Sequence, residues 1–334
     1  MITGKAHIRF ELIREVSNSE GNDLSITALC ELAGVSRSGY YRWLSAEGTR
    51  LRKERQDQAD FELVLQAYNY RGYMKGARSI AMRLLHQSPP IIMNVKKIRR
   101  LMKKYNLFCP VRKANPYRRM AKALRTSNVA ENLVNREFTH YGARKILLTD
   151  ITYIPLNDGF VYLSTILDAY TRQILSYVLS ESLEVDFVLE SINQLVEKHG
   201  ISLDASTIIH SDQGAHYTSY RFIQIVKDND LRQSMSRRGN CWDNAPQESF
   251  FGHMKDEIDL SGCATFQDVK SIIDDWMDYY NTERYQWQLA KLSPDEFYRY
   301  ITTGYYPLPI DPPVMNPDAV PAVMDDNPQQ IAST

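Results

Sequence analysis

Cysteine is scarce in this chain, and the few cysteines have no paired spacing. Cys30, Cys109, Cys241 and Cys263 form no CxxC pair and no Cys/His cluster, so a zinc site is not expected. The sequence also lacks any apolar run of about 18 residues and does not open on a signal peptide. We therefore expect a protein of a reduced, cytosolic compartment with no membrane partner.

Acidic residues are nearly missing from one long stretch. Residues 70–145 contain 19 Lys and Arg but two Asp and Glu, although the whole chain has 40 of each. Residues 146–304 have the opposite excess, 12 against 24, and residues 305–334 have no Lys or Arg. The basic stretch is typical of a polyanion-binding segment. The alternative, a solvated basic face, would contain more acids to balance it.

Three carboxylates lie at positions that suit a metal site. Asp150 is in the middle of the apolar run 146–154, Asp212 ends the run 207–212, and Glu248 lies in a helical pattern. A carboxylate in a buried strand is costly unless it is paired or binds a metal. Hard oxygen ligands suit Mg²⁺ or Mn²⁺, and two such ions can clamp the attacking and leaving oxygens of a phosphoryl transfer. The alternatives are a strand-edge Asp, a turn Asp and an exposed helical Glu.

The spacing and the neighbouring sequences resemble one known family. Thirty-five residues separate Asp212 from Glu248, as in the D,D(35)E signature of retroviral-integrase-like transposases. The segments DITYI (150–154), IHSDQGAHYTS (209–219) and SRRGNCWDNA (236–245) occur in order. Together they resemble the orfB-type transposases of the IS-three family of bacterial insertion sequences, over roughly residues 20–300.

The resemblance implies a DDE transposase. Such an enzyme hydrolyses a phosphodiester at each element end to leave a 3′-OH, which then attacks another phosphodiester by transesterification. Asp150, Asp212 and Glu248 would be both catalytic residues and ligands of two Mg²⁺ or Mn²⁺ ions, and Lys255 would hold a DNA phosphate. The alternatives are another ribonuclease-H-like nuclease, such as a resolvase, and a catalytically silent DNA-binding regulator.

The resemblance also implies partners and a location. The partners would be DNA, both terminal inverted repeats and target, and further copies of the chain, as a homodimer or higher multimer on paired ends. No small-molecule cofactor is expected, and the bacterial cytoplasm at the nucleoid is the expected place. In this family an upstream frame with a helix-turn-helix and zipper is often fused by frameshifting. This chain has no leucine heptad run, which fits the downstream frame alone.

The order of periodic segments predicts the fold class and the domains. From residue 146 onward, the periodic segments predict three strands, a helix, a strand, a helix, a strand and further helices. This is the order of elements in the ribonuclease-H-like fold. We predict an α/β protein: an integrase-type catalytic core preceded by an all-α helix-turn-helix region. The first predicted division is a helix-turn-helix (1–60), and the second is another helix-turn-helix with a basic linker (61–145). The catalytic core with C-terminal helices (146–304) and a Pro-rich acidic tail (305–334) follow.

Predicted DNA contacts lie in three places before the core. The third helix of the first helix-turn-helix contributes Arg37, Tyr40, Tyr41 and Arg42. The basic helix at 94–105 contributes Lys96, Arg99, Arg100 and Lys103, and the linker after it contributes Arg112, Lys113, Arg118 and Arg119. The alternative for the first helices is a protein-binding module with Tyr41 and Trp43 in its core. Asp168, which follows the second strand, is predicted to be a structural turn residue. His210 and His216 flank Asp212 and could be structural or could orient a water or phosphate.

Overall fold

A computed structural model describes residues 6–72, 76–109, 129–134, 138, 141–157, 159–237 and 244–312. The chain divides into two compact units, Met1–Gln66 with Ile98–Leu107, and Ala67–Lys97 with Phe108–Thr334. These bounds differ from the predicted divisions, because the basic helix at 94–105 is shared between the units. Among the described residues, no helix is both long and apolar enough to cross a membrane.

The first unit begins with three short helices, α1 (Ala6–Ser17), α2 (Ile26–Ala33) and α3 (Arg37–Ser45). Gly34 ends α2 in the left-handed region at φ 64°, where glycine has no Cβ to clash, and Ser36 then caps α3 by accepting from the Gly39 N–H. A small core of Ile13, Leu29 and Tyr40 holds the three together. The three helices and the turn at Gly34 lie where the sequence predicts the first helix-turn-helix.

Within the described residues before the sheet, three further helices follow: α4 (Glu47–Asn69), α5 (Ala77–Leu85) and α6 (Val95–Lys104). The last of these buries Ile98, Leu101 and Met102 along one side. Its remaining positions are mostly Lys and Arg, so the helix has one apolar and one basic face. Helices α5 and α6 lie within residues 61–145, where the sequence predicts the second helix-turn-helix.

The second unit is built on a five-stranded sheet in the order β3-β2-β1-β4-β5. The strands are β1 (Ile146–Leu156), β2 (Gly159–Asp168), β3 (Ile174–Ser180), β4 (Ile208–Ser211) and β5 (Arg232–Met235). The first three form an antiparallel meander, whereas β4 is parallel to β1 and β5 is parallel to β4. The parallel strands need crossover helices, and the chain supplies α7 (Asp186–His199) and α8 (Tyr220–Asp228).

Helices cover both faces of the sheet. One face packs on α7 and α8, and the other packs on α9 (Ala245–Glu257) and α10 (Phe266–Thr282), with α11 (Pro294–Thr303) following. Side chains alternate along β1, so Leu147 enters the core under α7 and α8, and Leu148 enters the core under α9 and α10. The element order is the one predicted, and the ribonuclease-H-like fold class is confirmed.

Asp168 has the structural role predicted for it. Its carboxylate is fully buried and accepts from the Arg144 guanidinium at 2.7 Å and from the backbone N–H groups of Arg144 and Tyr170 at 3.0 and 2.9 Å. A buried charge is tolerated when it is paired and hydrogen-bonded in this way. Asp168 is therefore committed to the turn after β2.

Candidate active site

The sheet register brings Asp150 and Asp212 together. Leu148 in β1 pairs with His210 in β4, and the two strands are parallel. Asp150 lies two residues beyond Leu148, and Asp212 lies two residues beyond His210, just past the end of β4. Adjacent strands are about 4.8 Å apart. Asp150 and Asp212 are therefore neighbours at the carboxyl edge of β4, although they are far apart in sequence.

The position of α9 brings Glu248 to the same place. The Lys255 ammonium donates to the carbonyl oxygen of Tyr153 at 3.0 Å, which pins the later part of α9 to β1. Seven helical residues span about 10.5 Å, and three strand residues span about 10 Å. A helix that runs along β1 with Lys255 at Tyr153 consequently has Glu248 beside Asp150.

A second contact near the start of α9 agrees with this alignment. Gln247 is fully buried, and its Nε2 donates to the Oγ1 of Thr165. Thr165 is the residue of β2 that pairs directly with Asp150 of β1. The first turn of α9, which carries Glu248, is therefore fixed at the level of Asp150 in the sheet.

The electrostatics of the three carboxylates are those of a crowded anionic site. The pKa of Asp150 is raised to about 7, mainly by burial and in addition by the charges of Asp212 and Glu248, while the Ile151 N–H and the charge of Lys255 act in the opposite direction. Burial also raises the pKa of Asp212, whereas a hydrogen bond of 2.8 Å from the Gly214 N–H lowers it. Mutual repulsion of this kind is relieved by a bound cation.

The stability of the metal-free protein should depend on pH through Asp150, whose pKa in the folded chain is about 7. The unfolded-state pKa is about 3.9, so between these values the folded chain binds more protons than the unfolded chain. Stability is therefore lost as the pH rises from about 4 to about 7. Asp150→Asn removes this loss and should raise the melting temperature by a few degrees at about pH 8, with the difference vanishing near pH 4. A melting temperature that is equal or lower at pH 8 would contradict the raised pKa.

The donor set fits a hard divalent cation. All three groups supply carboxylate oxygens, which suit Mg²⁺ and Mn²⁺ better than a soft metal. Among the described residues, no three His, Cys, Asp or Glu side chains already stand close enough to hold an ion. The backbone register is therefore in place, and the side chains of Asp150, Asp212 and Glu248 would have to rotate toward one another to hold an ion.

The two histidines beside Asp212 are held by the fold. His210 is fully buried, and its Nδ1 is 2.9 Å from the Ser234 hydroxyl, within the sheet. His216 donates from Nε2 to the Leu183 carbonyl at 2.6 Å. Both contacts are those of structural histidines, although the charge of His216 also lowers the pKa of Asp212.

Sequence reasoning missed two residues of this site. Gln247 adjoins Glu248. The sequence pattern that could have indicated its role is a polar residue directly before a predicted metal ligand in a helix. The Tyr217 hydroxyl is buried near Asp150 and Asp212, and burial, followed by the charge of Asp150, holds its pKa well above the usual range. Tyr217 lies inside the 209–219 segment, but one sequence cannot separate it from the other core aromatics.

Comparison with known proteins places the chain in a family. Residues 140–241 and 229–294 match models of an integrase core domain, and residues 55–115 match an HTH-like domain. The chain is 30% identical over 271 residues to the insertion element IS600 uncharacterized 31 kDa protein of Shigella sonnei, covering 80% of this chain and 97% of that one. The chain belongs to the IS-three family of insertion-sequence transposases.

Other relatives carry transposase names. Identity is 31% to the putative transposase InsK for insertion sequence element IS150 of Escherichia coli, covering 66% of this chain and 76% of that one. Identity is 28% to the transposase InsF for insertion sequence IS3A of Escherichia coli, covering 82% and 94%. The solved HTLV-2 integrase catalytic core domain in complex with magnesium matches 47% of this chain and 98% of its own, at 13% identity and a TM-score of 0.37. That likeness is too slight to support an inference.

The family membership confirms the predicted DNA transposase, an enzyme with an integrase core and a DNA-binding helical region. An integrase core domain also implies dependence on a divalent metal ion. Apart from Lys255, the predicted DNA contacts of this transposase lie before the core, and the structure corrects the prediction for Tyr40.

Tyr40 is not accessible to DNA, contrary to the sequence prediction. Its side chain is 3% exposed and packs in the core of the three-helix unit with Trp43, at 6.1 Å between ring centroids. Tyr41 is 44% exposed, so it is also wrong as a core residue of a protein-binding module. Arg37 and Arg42 are exposed as predicted, on the helix that the turn presents.

Arg100 is exposed, as predicted, but it also has a partner that the sequence did not show. Its guanidinium makes two bonds of 2.7 Å to the carboxylate of Asp57, which Lys104 contacts at 2.9 Å. Arg100 thereby attaches α6 to α4 inside the first unit. Lys96, Arg99 and Lys103 are exposed. Arg112, Lys113, Arg118 and Arg119 of the linker lie outside the described residues, as does the tail after 312.

The exposed basic stripe of α6 should contribute to DNA affinity. Lys96, Arg99 and Lys103 lie at i, i+3 and i+7 and so share one face. Replacing all three with Ala should weaken binding to the element ends and reduce the salt slope by about one unit for each phosphate that is no longer neutralised. Fluorescence anisotropy over a series of salt concentrations measures both quantities.

The matched control removes three exposed cations from another helix before the core. Arg52, Lys53 and Arg55 of α4 are all exposed, and their replacement with Ala changes the net charge equally. If both triple variants bind alike, general charge and not the α6 stripe governs affinity. An unchanged dissociation constant and salt slope in the α6 variant would favour a merely solvated face.

Proposed function

We propose that this transposase hydrolyses one phosphodiester at each end of its element to leave a 3′-OH, and then joins that end to target DNA by transesterification. The observation that carries the proposal is the convergence of Asp150, Asp212 and Glu248 at one level of the sheet. Asp150 and Asp212 come from adjacent parallel strands, and Glu248 comes from the helix packed on β1. Asp168 differs from these three, because its buried ion pair with Arg144 commits it to a structural role.

We assign these three carboxylates as the ligands of two Mg²⁺ or Mn²⁺ ions. When bound, the ions stabilise the charge that develops on the attacking and leaving oxygens. Asp150 must give up its proton for this, and its pKa of about 7 allows the loss near neutral pH. Lys255 is held on β1 by the Tyr153 carbonyl, and we propose that its ammonium contacts a DNA phosphate near the carboxylates.

The helical region would hold the DNA. Arg37, Tyr41 and Arg42 on α3 and the exposed stripe of α6 are the groups that we propose for the terminal inverted repeats. Joining requires two ends together, so we propose a homodimer or a higher multimer on paired ends. We also propose that the enzyme acts at the nucleoid in the cytoplasm, because its DNA substrates lie there.

A strand-transfer assay tests this function. The probe is a labelled duplex of each inverted repeat that flanks the coding sequence, with a plasmid target and Mg²⁺. Joined products at 3′ ends support the transposase mechanism. Cleavage of branched DNA without joining would favour a resolvase, and DNA binding without cleavage or joining would favour a silent regulator.

A further inference from the structure

Gln247 is a polar residue in a position where an apolar one would be expected. It is fully buried in the first turn of α9, on the helix whose apolar residues Phe250, Phe251 and Met254 pack on the sheet. Its Nε2 donates to Thr165, but its Oε1 has no hydrogen-bond partner in the part of the chain that the structure describes. An unsatisfied buried acceptor costs stability, which an apolar side chain of similar shape would avoid.

The partner of Gln247 is itself next to Asp150. Thr165 is fully buried and pairs with Asp150 across β1 and β2. Side chains of directly paired residues lie on the same face of a sheet and close to each other. Gln247 therefore bonds to the nearest cross-strand neighbour of one proposed metal ligand, while it adjoins another, Glu248, in the chain.

The packing of α9 does not by itself fix where Glu248 lies. Apolar contacts are non-directional, so a helix held only by Phe250, Phe251 and Met254 could shift or rotate slightly on the sheet. A hydrogen bond is directional and has a narrow range of distances. The Lys255–Tyr153 bond holds the later part of α9, and the Gln247–Thr165 bond therefore fixes the height and the rotation of its first turn relative to β1.

We infer that Gln247 is a positioning residue that holds Glu248 in register with Asp150, and that the Gln247–Thr165 bond tunes divalent-metal affinity at the cost of some stability. The inference rests on the proposed function, since it takes Asp150 and Glu248 as metal ligands. The role assigned to the fully buried Gln247 acts through the position of Glu248 and not through a bond from Gln247 to the metal. Hydrogen-bond partners behind metal ligands typically change metal affinity by about tenfold or more.

The test compares metal binding with stability in the full-length chain. Gln247→Met, Thr165→Val and the double variant are titrated with Mn²⁺ by calorimetry, and their melting temperatures are measured without metal. We expect each single variant to bind Mn²⁺ about tenfold more weakly. The double variant should be no worse than either single variant, because both remove the same hydrogen bond. Its melting temperature should be equal to or above that of the parent, because both partners become apolar.

Ser191→Ala is the matched control. Ser164 adjoins Thr165 in β2, and its hydroxyl is 3.2 Å from that of Ser191 on the opposite face of the sheet. Removing this buried hydrogen bond should lower the melting temperature and leave Mn²⁺ binding unchanged. Equal weakening of Mn²⁺ binding by Ser191→Ala and Gln247→Met would overturn the inference, as would unchanged Mn²⁺ binding in Gln247→Met. If Gln247→Met does not fold, Thr165→Val tests the same hydrogen bond from the other side.

Asp150→Asn separates this inference from the proposed function. If Asp150→Asn loses Mn²⁺ binding while Gln247→Met and Thr165→Val keep it, the metal site stands and the positioning role is wrong. If Asp150→Asn binds Mn²⁺ as the parent does, the proposed metal site is wrong, and the role of Gln247 is overturned together with it.

Discussion

Asp150→Asn, Asp212→Asn and Glu248→Gln should each abolish both cleavage and strand transfer, with losses of at least about 10³-fold. Each change preserves the shape of the side chain and removes only the charge that a metal ion needs. The three residues reach one place from β1, from the end of β4 and from α9, so each supplies an oxygen that the other two cannot replace. Binding of the element ends should persist, because most of the proposed DNA contacts lie in the helical region. The measurements are the strand-transfer assay and fluorescence anisotropy on the same preparations.

Asp204→Asn is the control for these variants. Asp204 lies in the same unit before β4 and forms an ion pair with Lys145, outside the candidate site. It should keep near-normal joining, since an exposed ion pair contributes little to stability. Near-normal joining by Asp150→Asn, Asp212→Asn or Glu248→Gln would remove that residue from the site. Loss of DNA binding together with chemistry would instead indicate a damaged fold.

The sequence predicted the core well because its signals are local and periodic. The β1 and β4 segments are apolar runs, each interrupted or ended by one acid, and this contrast is visible without a structure. The spacing between Asp212 and Glu248 then added the long-range relation that no single segment carries. Asp168 was also predicted correctly, since an acid followed by Ala-Tyr-Thr after a strand suits a turn.

The predictions were wrong or incomplete where the packing of helices and strands against each other decides which side chains meet. In the short helix α3, Tyr40 and Tyr41 are adjacent, and only the packing of Phe10 and Trp43 shows that Tyr40 faces inward. Arg100 lies on the predicted basic helix, but the sequence did not show that it also pairs with Asp57, which lies 43 residues earlier in the chain. Gln247 was missed for the same reason, because its partner Thr165 lies 82 residues away. Such pairings follow from how elements pack, which periodicity does not encode.

Removal of divalent metal should abolish cleavage and joining, and the metal requirement should depend on pH in a defined direction. Mg²⁺ or Mn²⁺ should restore activity after chelation, whereas Ca²⁺ should not, because Ca²⁺ takes more ligands at longer distances. Asp150 has a pKa of about 7 without metal, so a metal ion must displace its proton at lower pH. The metal concentration for half-maximal joining should therefore fall as the pH rises to about 7 and level off above it.

The measurement is a Mn²⁺ titration of strand transfer at about pH 6, 7 and 8, with Mn²⁺ binding by calorimetry at the same values. Below the pKa of a single competing carboxyl, the half-maximal concentration changes by about tenfold per pH unit. Calorimetry in buffers of different ionisation enthalpy should show about one proton released at pH 6 and almost none at pH 8, since Asp150 is then already ionised. Joining in a fully chelated sample would rule out the metal mechanism. Equal half-maximal concentrations at pH 6 and pH 8 would leave the metal site intact but show that Asp150 does not titrate near neutral pH, so that its neighbours, including Lys255, hold it ionised.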